Sequence, residues 1–244
     1  MNVLITGAAG YQARFIVERL RGRHSLRLFD RAPGPGILQG DITSFNDVKA
    51  ARAGQDAVVH LVALVRGRTG QPLDCRDESA VTQFIRALLS LDVVVNNAGI
   101  ARFRPLIETP TSELREILEI NVVAAFVIMR EAARRMVGQG GERGGHIINI
   151  ASDAAVMGIA AMAPYVASKH ALRGMGLSVG LELRAQGVRV TTYCPGPIST
   201  EILGPEGLNP KALQPADCAK TIVHIAELPD SIDVQELLVR PTKT

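Results

Sequence analysis

The sequence has no block of like charge. Its 27 lysines and arginines stand against 24 aspartates and glutamates, and the basic residues are spread along the chain. The footprint of a nucleic-acid-binding surface is therefore missing. The densest basic group, Arg19, Arg21, Arg23 and His24, has no aromatic side chains interleaved with it for base stacking and reads as a solvated helix end. Cysteine is scarce as well. Cys75, Cys194 and Cys218 lie far apart and form no metal-ligand pair, which argues against a disulfide scaffold, suits a reducing cytosol and leaves all three as packing residues. No apolar run is long enough to span a membrane, and Met1 leads into an apolar strand pattern ending in Thr6-Gly7, with no basic leader or cleavage site. A cytoplasmic protein with a small-molecule substrate is expected, without a metal, a nucleic-acid partner or a membrane partner.

What is present is a globular composition. With 47% hydrophobic residues and no long polar tract, 244 residues can bury a full core, and the length suits one large α/β domain. Short β-rich apolar runs recur at 3–5, 26–29, 58–61, 93–95, 147–150 and 188–193. Between several of them the period becomes helical, most clearly over 14–21, 112–137 and 165–186, the second opening with Ser112 as candidate N-cap. Residues 138–145 read as a turn between helix and strand. This alternation predicts a Rossmann-like, doubly wound, mostly parallel sheet with helices on both faces.

One pattern occurs twice. Asp41-Ile42, a helix-like stretch and Asp56-Ala57-Val58-Val59-His60-Leu61 look much like Asp74-Cys75, another helix-like stretch and Asp92-Val93-Val94-Val95-Asn96. The chain thus carries a strand-helix-strand unit twice. Only one of the two closing strands can lie beside the first strand, so the other must widen the sheet or sit outside it.

Between the first strand and the first helix runs Thr6-Gly7-Ala8-Ala9-Gly10-Tyr11-Gln12-Ala13, the place for a phosphate-binding turn. Gly7, Ala9, Gly10, Tyr11 and Gln12 are the candidate contacts, because small residues let the backbone approach a pyrophosphate and the helix end favours an anion. With Ala13 at the third small position the turn is a weak signal alone, and a tight turn without a ligand is the competing reading. Asp30 closes the second strand about twenty residues on, where a carboxylate accepts both ribose hydroxyls of NAD. Arg31 follows, and a guanidinium there suits a 2′-phosphate, so NAD is the expected cofactor and NADP stays open.

Tyr165 and Lys169 lie four apart on one predicted helix and project from the same face. A nearby ammonium stabilises phenolate and is expected to pull the tyrosine pKa below its usual value of about 10. Ser152 ends the run His146-Ile147-Ile148-Asn149-Ile150-Ala151-Ser152, where its hydroxyl can hold a substrate oxygen while Tyr165 transfers the proton.

Together with Asn96-Asn97-Ala98-Gly99, Asn121 and Pro195-Gly196-Pro197-Ile198-Ser199-Thr200, these residues resemble the motifs of the short-chain dehydrogenase/reductase family in that family's order. The resemblance implies an NAD(P)-dependent oxidoreductase acting on a secondary alcohol or carbonyl, with Asn121, Ser152, Tyr165 and Lys169 as the catalytic set. It also implies that Asn121 supports a water-linked proton path through Lys169, and that Lys169 binds the nicotinamide ribose. Ile198 and Thr200, in the turn opened by Pro195 and Gly196, would anchor the carboxamide. Asn96, Ala98 and Gly99 would line the cofactor, and either Asp41 with Ile42 or Asp74 would meet the adenine. Residues 1–73 look like the extended, sugar-nucleotide-modifying branch, and residues 74–244 like the single-domain branch. If the chain is active, residues 93–95 are expected to pair near the cofactor turn, since an interposed strand 58–61 would displace them by about 5 Å.

Residues 197–213 look like a short lid with Ile202, Leu203, Leu208 and Leu213 as apolar cover. Met157, Ile159 and Met162 read either as a modest apolar pocket or as core. The ending 228–242 resembles short-chain enzymes related to 3-hydroxy acid dehydrogenases, and Arg102 and Arg104 would then meet a carboxylate, with solvated loop arginines as the other reading. By the same resemblance the two long helices would form the interface of a homo-oligomer. Two alternatives stand beside the oxidoreductase: a sugar-nucleotide epimerase, and a non-catalytic dinucleotide-sensing or scaffold protein.

Overall fold

The apolar runs assemble into one parallel sheet. The computed structural model describes residues 2–6, 13–30, 34–39, 50, 57–61, 74–88, 91–139, 144–200 and 209–242. The strands are β1 (Asn2–Thr6), β2 (Ser25–Asp30), β3 (Ile37–Gln39), β4 (Ala57–Leu61), β5 (Val93–Asn96), β6 (Gly145–Ile150), β7 (Val188–Pro195) and β8 (Glu236–Val239). The helices are α1 (Ala13–Leu20), α2 (Glu78–Ala87), α3 (Thr111–Leu118), α4 (Ala125–Val137), α5 (Ala163–Leu183) and α6 (Pro215–Ala226).

The strands lie in the order β3-β2-β1-β4-β5-β6-β7-β8, and every neighbouring pair is parallel. The closing strands of both repeated units are therefore in the sheet, which is widened. Leu4 and Ile5 of β1 pair with Val58 and Val59 of β4, and Val59, His60 and Leu61 pair in turn with Val93, Val94 and Val95 of β5. The expectation that residues 93–95 would lie near the turn after β1 is overturned. A strand has two edges; β2 takes one edge of β1 and β4 the other, so β5 is left with the outer edge of β4.

Helices cover both faces of β5 and β6, and the strand runs there are largely apolar. On one face Val94 and Ile147 cluster with Phe84 and Ile85 of α2, Val127 and Ile128 of α4 and Leu172 of α5. On the other, Val95, Ile148, Ile150 and Tyr193 meet Cys218, Ile222 and Ile225 of α6. Ile147 and Ile148 are fully buried, each contributing about 2 kcal/mol by removal from water. Cys75, Cys194 and Cys218 are free and buried, as packing residues should be, and burial pushes the Cys75 and Cys194 thiols up to about 11.

Two helix details differ from the sequence pattern. The long helix starts at Thr111 with Pro110, not Ser112, as its N-cap, and no side chain caps it; the fixed φ of proline sets the entry, and the Pro110 carbonyl accepts from Glu113 at 2.9 Å. A π turn, Glu119–Ala124, then separates α3 from α4. No helix among the described residues is long and apolar enough to cross a membrane.

Candidate active site

Ser152 leaves the end of β6 in extended conformation and caps the short 3-10 turn Asp153–Ala155. The Ala154 amide donates to its Oγ at 3.1 Å, and the hydroxyl donates to Asp153 Oδ1 at 3.3 Å. Tyr165 and Lys169 stand one turn apart on α5, with Lys169 Nζ 5.6 Å from the centre of the phenol ring. The Lys169 ammonium is buried and donates to the Ile150 carbonyl at 2.9 Å, so α5 is pinned to the strand that carries Ser152.

The electrostatics correct one expectation. The Tyr165 phenol lies above its ordinary pKa, not below it: burial is the main cause, Asp153 adds to it, and the neighbouring Ser152 hydroxyl pulls the other way. Burial also lowers Lys169 to about 8. Desolvation of both groups thus outweighs the help each charge could give the other.

Asn121, in the π turn and fully buried, joins the set from the far side. The Ile100 amide donates to its Oδ1 at 2.8 Å, and its Nδ2 donates to the Ile100 carbonyl at 2.9 Å and to Ser168 Oγ at 3.0 Å. Ser168 passes its own proton to the Tyr165 carbonyl at 2.7 Å. Asn121 therefore holds the segment after β5 against α5. A π turn at such a place is common at functional sites, since it re-aims one side chain within an otherwise regular helix.

The cofactor candidates divide into two groups. Asn96 is buried, with Nδ2 donating to the Ala125 carbonyl and to Asn149 Oδ1, both at 3.1 Å, while its Oδ1 has no partner. Ala98 is buried in the core, and Gly99 passes beside Asn121 and Lys169. Pro195 ends β7, and the Gly196 amide donates to the Val239 carbonyl at 2.7 Å. Ile198 forms a parallel bridge with Leu213, and the Ser199 amide donates to the Leu213 carbonyl at 2.9 Å. Among the described residues Thr200 Oγ1 reaches the Ile198 carbonyl, at 3.5 Å. The two ends of the expected lid are thus tied together; Ile202, Leu203 and Leu208 lie outside the described residues.

In the second group, Gly7, Ala9, Gly10, Tyr11, Gln12, Arg31, Asp41 and Ile42 also lie outside the described residues. Asp30 ends β2, paired with Gln39 of β3. Asp74 lies within the connection from β4 to β5, and its carboxylate is taken by Arg76, with Nη2 at 2.6 Å. That contact is the main reason its pKa is lowered.

The described residues fit the nicotinamide-ribose half of a dinucleotide. Lys169 has three protons and gives one to Ile150. Beside it Gly99 has no side chain, and a Cβ there would fall 3.5 Å from Lys169 Nζ and 3.4 Å from Asn121 Oδ1, filling the space over the ammonium. The strand order sets the other half apart. With β4 interposed, the ends of β1 and β5 are two strand spacings apart, about 10 Å instead of about 5 Å.

On the substrate side Met162 is buried and Met157 is exposed, so of the apolar trio Met162 belongs to the core. Arg102 and Arg104 both meet glutamates, with the Arg104 side chain still 46% exposed. Arg102 pairs with Glu116 at 2.6 Å and Arg104 with the buried Glu113 at 3.1 Å, fastening their loop to α3. The Arg104 amide also donates to the carbonyl of Ala161, which has a left-handed φ of 59° just before α5. Two residues that the motifs do not single out stand at the site. Asp153 touches Ser152, and Arg240, just after β8, reaches Asp153 Oδ2 at 3.3 Å. Adjacency to Ser152 was a usable signal for Asp153; Arg240 is brought in by strand pairing and had none.

Comparison with known proteins agrees with this architecture. The model of the short chain dehydrogenase family matches residues 38–210, leaving β1 and the turn after it outside the match. An L-2,3-butanediol dehydrogenase from Corynebacterium glutamicum is 37% identical over 123 residues, covering 50% of this chain and 47% of that protein. The match thus spans about half of that relative. A diacetyl reductase, (S)-acetoin forming, from Staphylococcus epidermidis is 30% identical over 205 residues, covering 82% of this chain and 72% of that protein. Among solved structures, the closed form of a serine dehydrogenase complexed with NADP+ superposes with a TM-score of 0.73 at 23% identity, over 99% of this chain and 95% of that one. At that identity the likeness concerns the fold.

Proposed function

Since the chain belongs to the short-chain dehydrogenase family, we propose that it is an NAD(P)-dependent oxidoreductase interconverting a secondary alcohol and a carbonyl compound. The observation that carries this reading is the meeting of Ser152, Tyr165 and Lys169, with Lys169 fixed on the Ile150 carbonyl. When bound, the nicotinamide supplies or accepts the hydride. Ser152 orients the substrate oxygen, and the Tyr165 hydroxyl gives up or takes its proton. Lys169 would hold the nicotinamide ribose with its two remaining protons, and Ile198 and Thr200 would meet the carboxamide. Asn121 keeps this wall in place.

The finer reading is one domain, with a lid over 197–213 and a half, 1–73, of the extended type. Asp30 at the end of β2 supports NAD over NADP. A cytoplasmic homo-oligomer joined through its two long helices is proposed, supported by Val123, Phe126 and Leu181, exposed on that part of the surface. Substrates are small and largely apolar; 2,3-butanediol and diacetyl, named for two relatives, join 3-hydroxy acids in the test panel. The test follows the reduced-nicotinamide absorbance across that panel with NAD and NADP in parallel. Turnover with any member supports the reading, and saturable cofactor binding without turnover across the panel would sink it. That outcome is the second reading, a dinucleotide-binding protein without turnover, which the interposed β4 favours.

A further inference from the structure

Gly196 has no side chain, and a Cβ there would press on Arg240 and Pro241, at 3.2 Å from Arg240 Cγ and 3.3 Å from Pro241 Cδ. Together with the bond from the Gly196 amide to the Val239 carbonyl, this close approach packs the residue after β8 against the turn that leaves β7. β8 is itself clamped to α5, where Arg173 grips Glu236 through Nε and Nη2. Arg240 then extends to Asp153, one residue beyond Ser152, and also touches Met157 Sδ.

The Asp153 carboxylate is consequently shared. Oδ1 takes the Ser152 proton and Oδ2 faces the guanidinium. A hydroxyl that donates to Asp153 and accepts from the Ala154 amide is fixed in rotation. The geometry points to Arg240 as a positioning residue that acts through Asp153, holding the Ser152 hydroxyl in one orientation and offsetting the carboxylate charge that would otherwise face Tyr165. Among the described residues, the charged groups around the phenol are Lys169 on its own helix and Asp153 from the turn after β6, with Arg240 behind Asp153; Asn121 of the π turn is uncharged. Asp153 opposes ionisation of the phenol, so an unbalanced Asp153 would oppose it more. This inference rests on the role given to Tyr165 above.

The test needs neither cofactor nor substrate. Phenolate absorbance is titrated in the wild-type chain and in Arg240→Met, Arg240→Lys, Asp153→Asn and the Arg240→Met/Asp153→Asn double variant. Each curve is corrected by the same protein carrying Tyr165→Phe. Asp153→Asn should lower the Tyr165 midpoint and Arg240→Met should raise it, each by about one pH unit. Arg240→Lys should stay near the wild type, and the double variant should match Asp153→Asn alone. A midpoint in Asp153→Asn at or above the wild-type value overturns the proposal, and this measurement is decisive even where Arg240→Met does not fold. An Arg240→Met effect that persists in the Asp153→Asn background overturns it too, since Arg240 would then act by another route. The pH profile of alcohol oxidation should move in the same directions. Absence of turnover in every protein, the wild type included, with the titration shifts intact counts against the oxidoreductase reading and leaves this one standing.

Discussion

Asn121 and Ile100 exchange two hydrogen bonds, the Ile100 amide giving to Oδ1 at 2.8 Å and Nδ2 giving to the Ile100 carbonyl at 2.9 Å. The side chain thereby does for an irregular segment what a neighbouring strand would do for a regular one. Asn121→Ala should leave both Ile100 groups without partners and lower stability by about 2–3 kcal/mol. Chemical denaturation measures this. Turnover should fall in the same variant, because the segment past Gly99 loses its anchor.

The raised pKa of Tyr165 sets the pH dependence of each direction. The phenol is protonated at neutral pH, the form that donates to a carbonyl oxygen, so reduction should be level through neutrality and decline only in the alkaline range. Oxidation needs phenolate and should climb as pH rises. Tyr165→Phe should slow both by about 10²–10⁴-fold, while equilibrium titration of cofactor changes little. Retained turnover in that variant would remove Tyr165 from its role.

Lys169 makes a stability prediction of unusual sign. Its pKa is about 8 in the fold, against 10.5 as the ordinary value. Between those pH values the unfolded chain keeps a proton that the folded chain sheds, so stability rises with pH across the window and the full penalty applies below it. Lys169→Met removes a penalty of about 3 kcal/mol and the Ile150 bond of about 1 kcal/mol. The variant should therefore be more stable than wild type at pH 7, with the gain shrinking between pH 8 and 10.5, and inactive throughout. Denaturant midpoints at pH 7 and near pH 10 give the comparison.

His146 predicts the opposite end of the scale. Burial, with the Arg189 charge second, lowers it from 6.5 to about 3. As pH falls through that interval the unfolded chain takes a proton the fold refuses, and stability declines by up to about 1.4 kcal/mol per pH unit. His146→Leu should flatten the decline, because Thr191, its neighbour at 2.8 Å, still donates to the Val234 carbonyl at 2.6 Å. Thermal melting at pH 4, 5 and 6.5 provides the check, and parallel slopes in both proteins would refute it.

The interposed strand can be removed. Excising residues 41–73 joins Gly40 to Asp74, so Asp74 takes the place of Asp41 and β5 becomes the next strand available to the free edge of β1. If separation of the two halves limits the enzyme, kcat/KM should rise by about tenfold or more, given how steeply rate depends on placement. An unchanged or lower value in a well-folded deletion variant would show that separation is not limiting.

Six strands were legible as short β-rich apolar runs, β5 and β6 most plainly because both of their faces are buried. β3 and β8 were not: with three and four residues, both partly exposed, they are strands mainly by virtue of their neighbours. Tyr165 and Lys169 were legible because their chemistry demands one helical turn between them. The repeat of 41–61 in 74–96 showed that one strand was surplus, to widen the sheet or lie outside it, but which copy meets β1 depends on pairing between distant segments. The same holds for Arg240 and Asp153, and for Arg102 and Arg104. Their partners are supplied by folding, and no local pattern marks an arginine that faces a glutamate from one that faces water.

β4 has an angular consequence as well. Neighbouring strands in a sheet are turned relative to each other by about 20–25°, so one extra strand rotates the mouth of β1 by that much with respect to β5. A ligand reaching from one to the other must bend as well as stretch, and a shorter, stiffer molecule confined to the β5–β7 side would be indifferent to the turn.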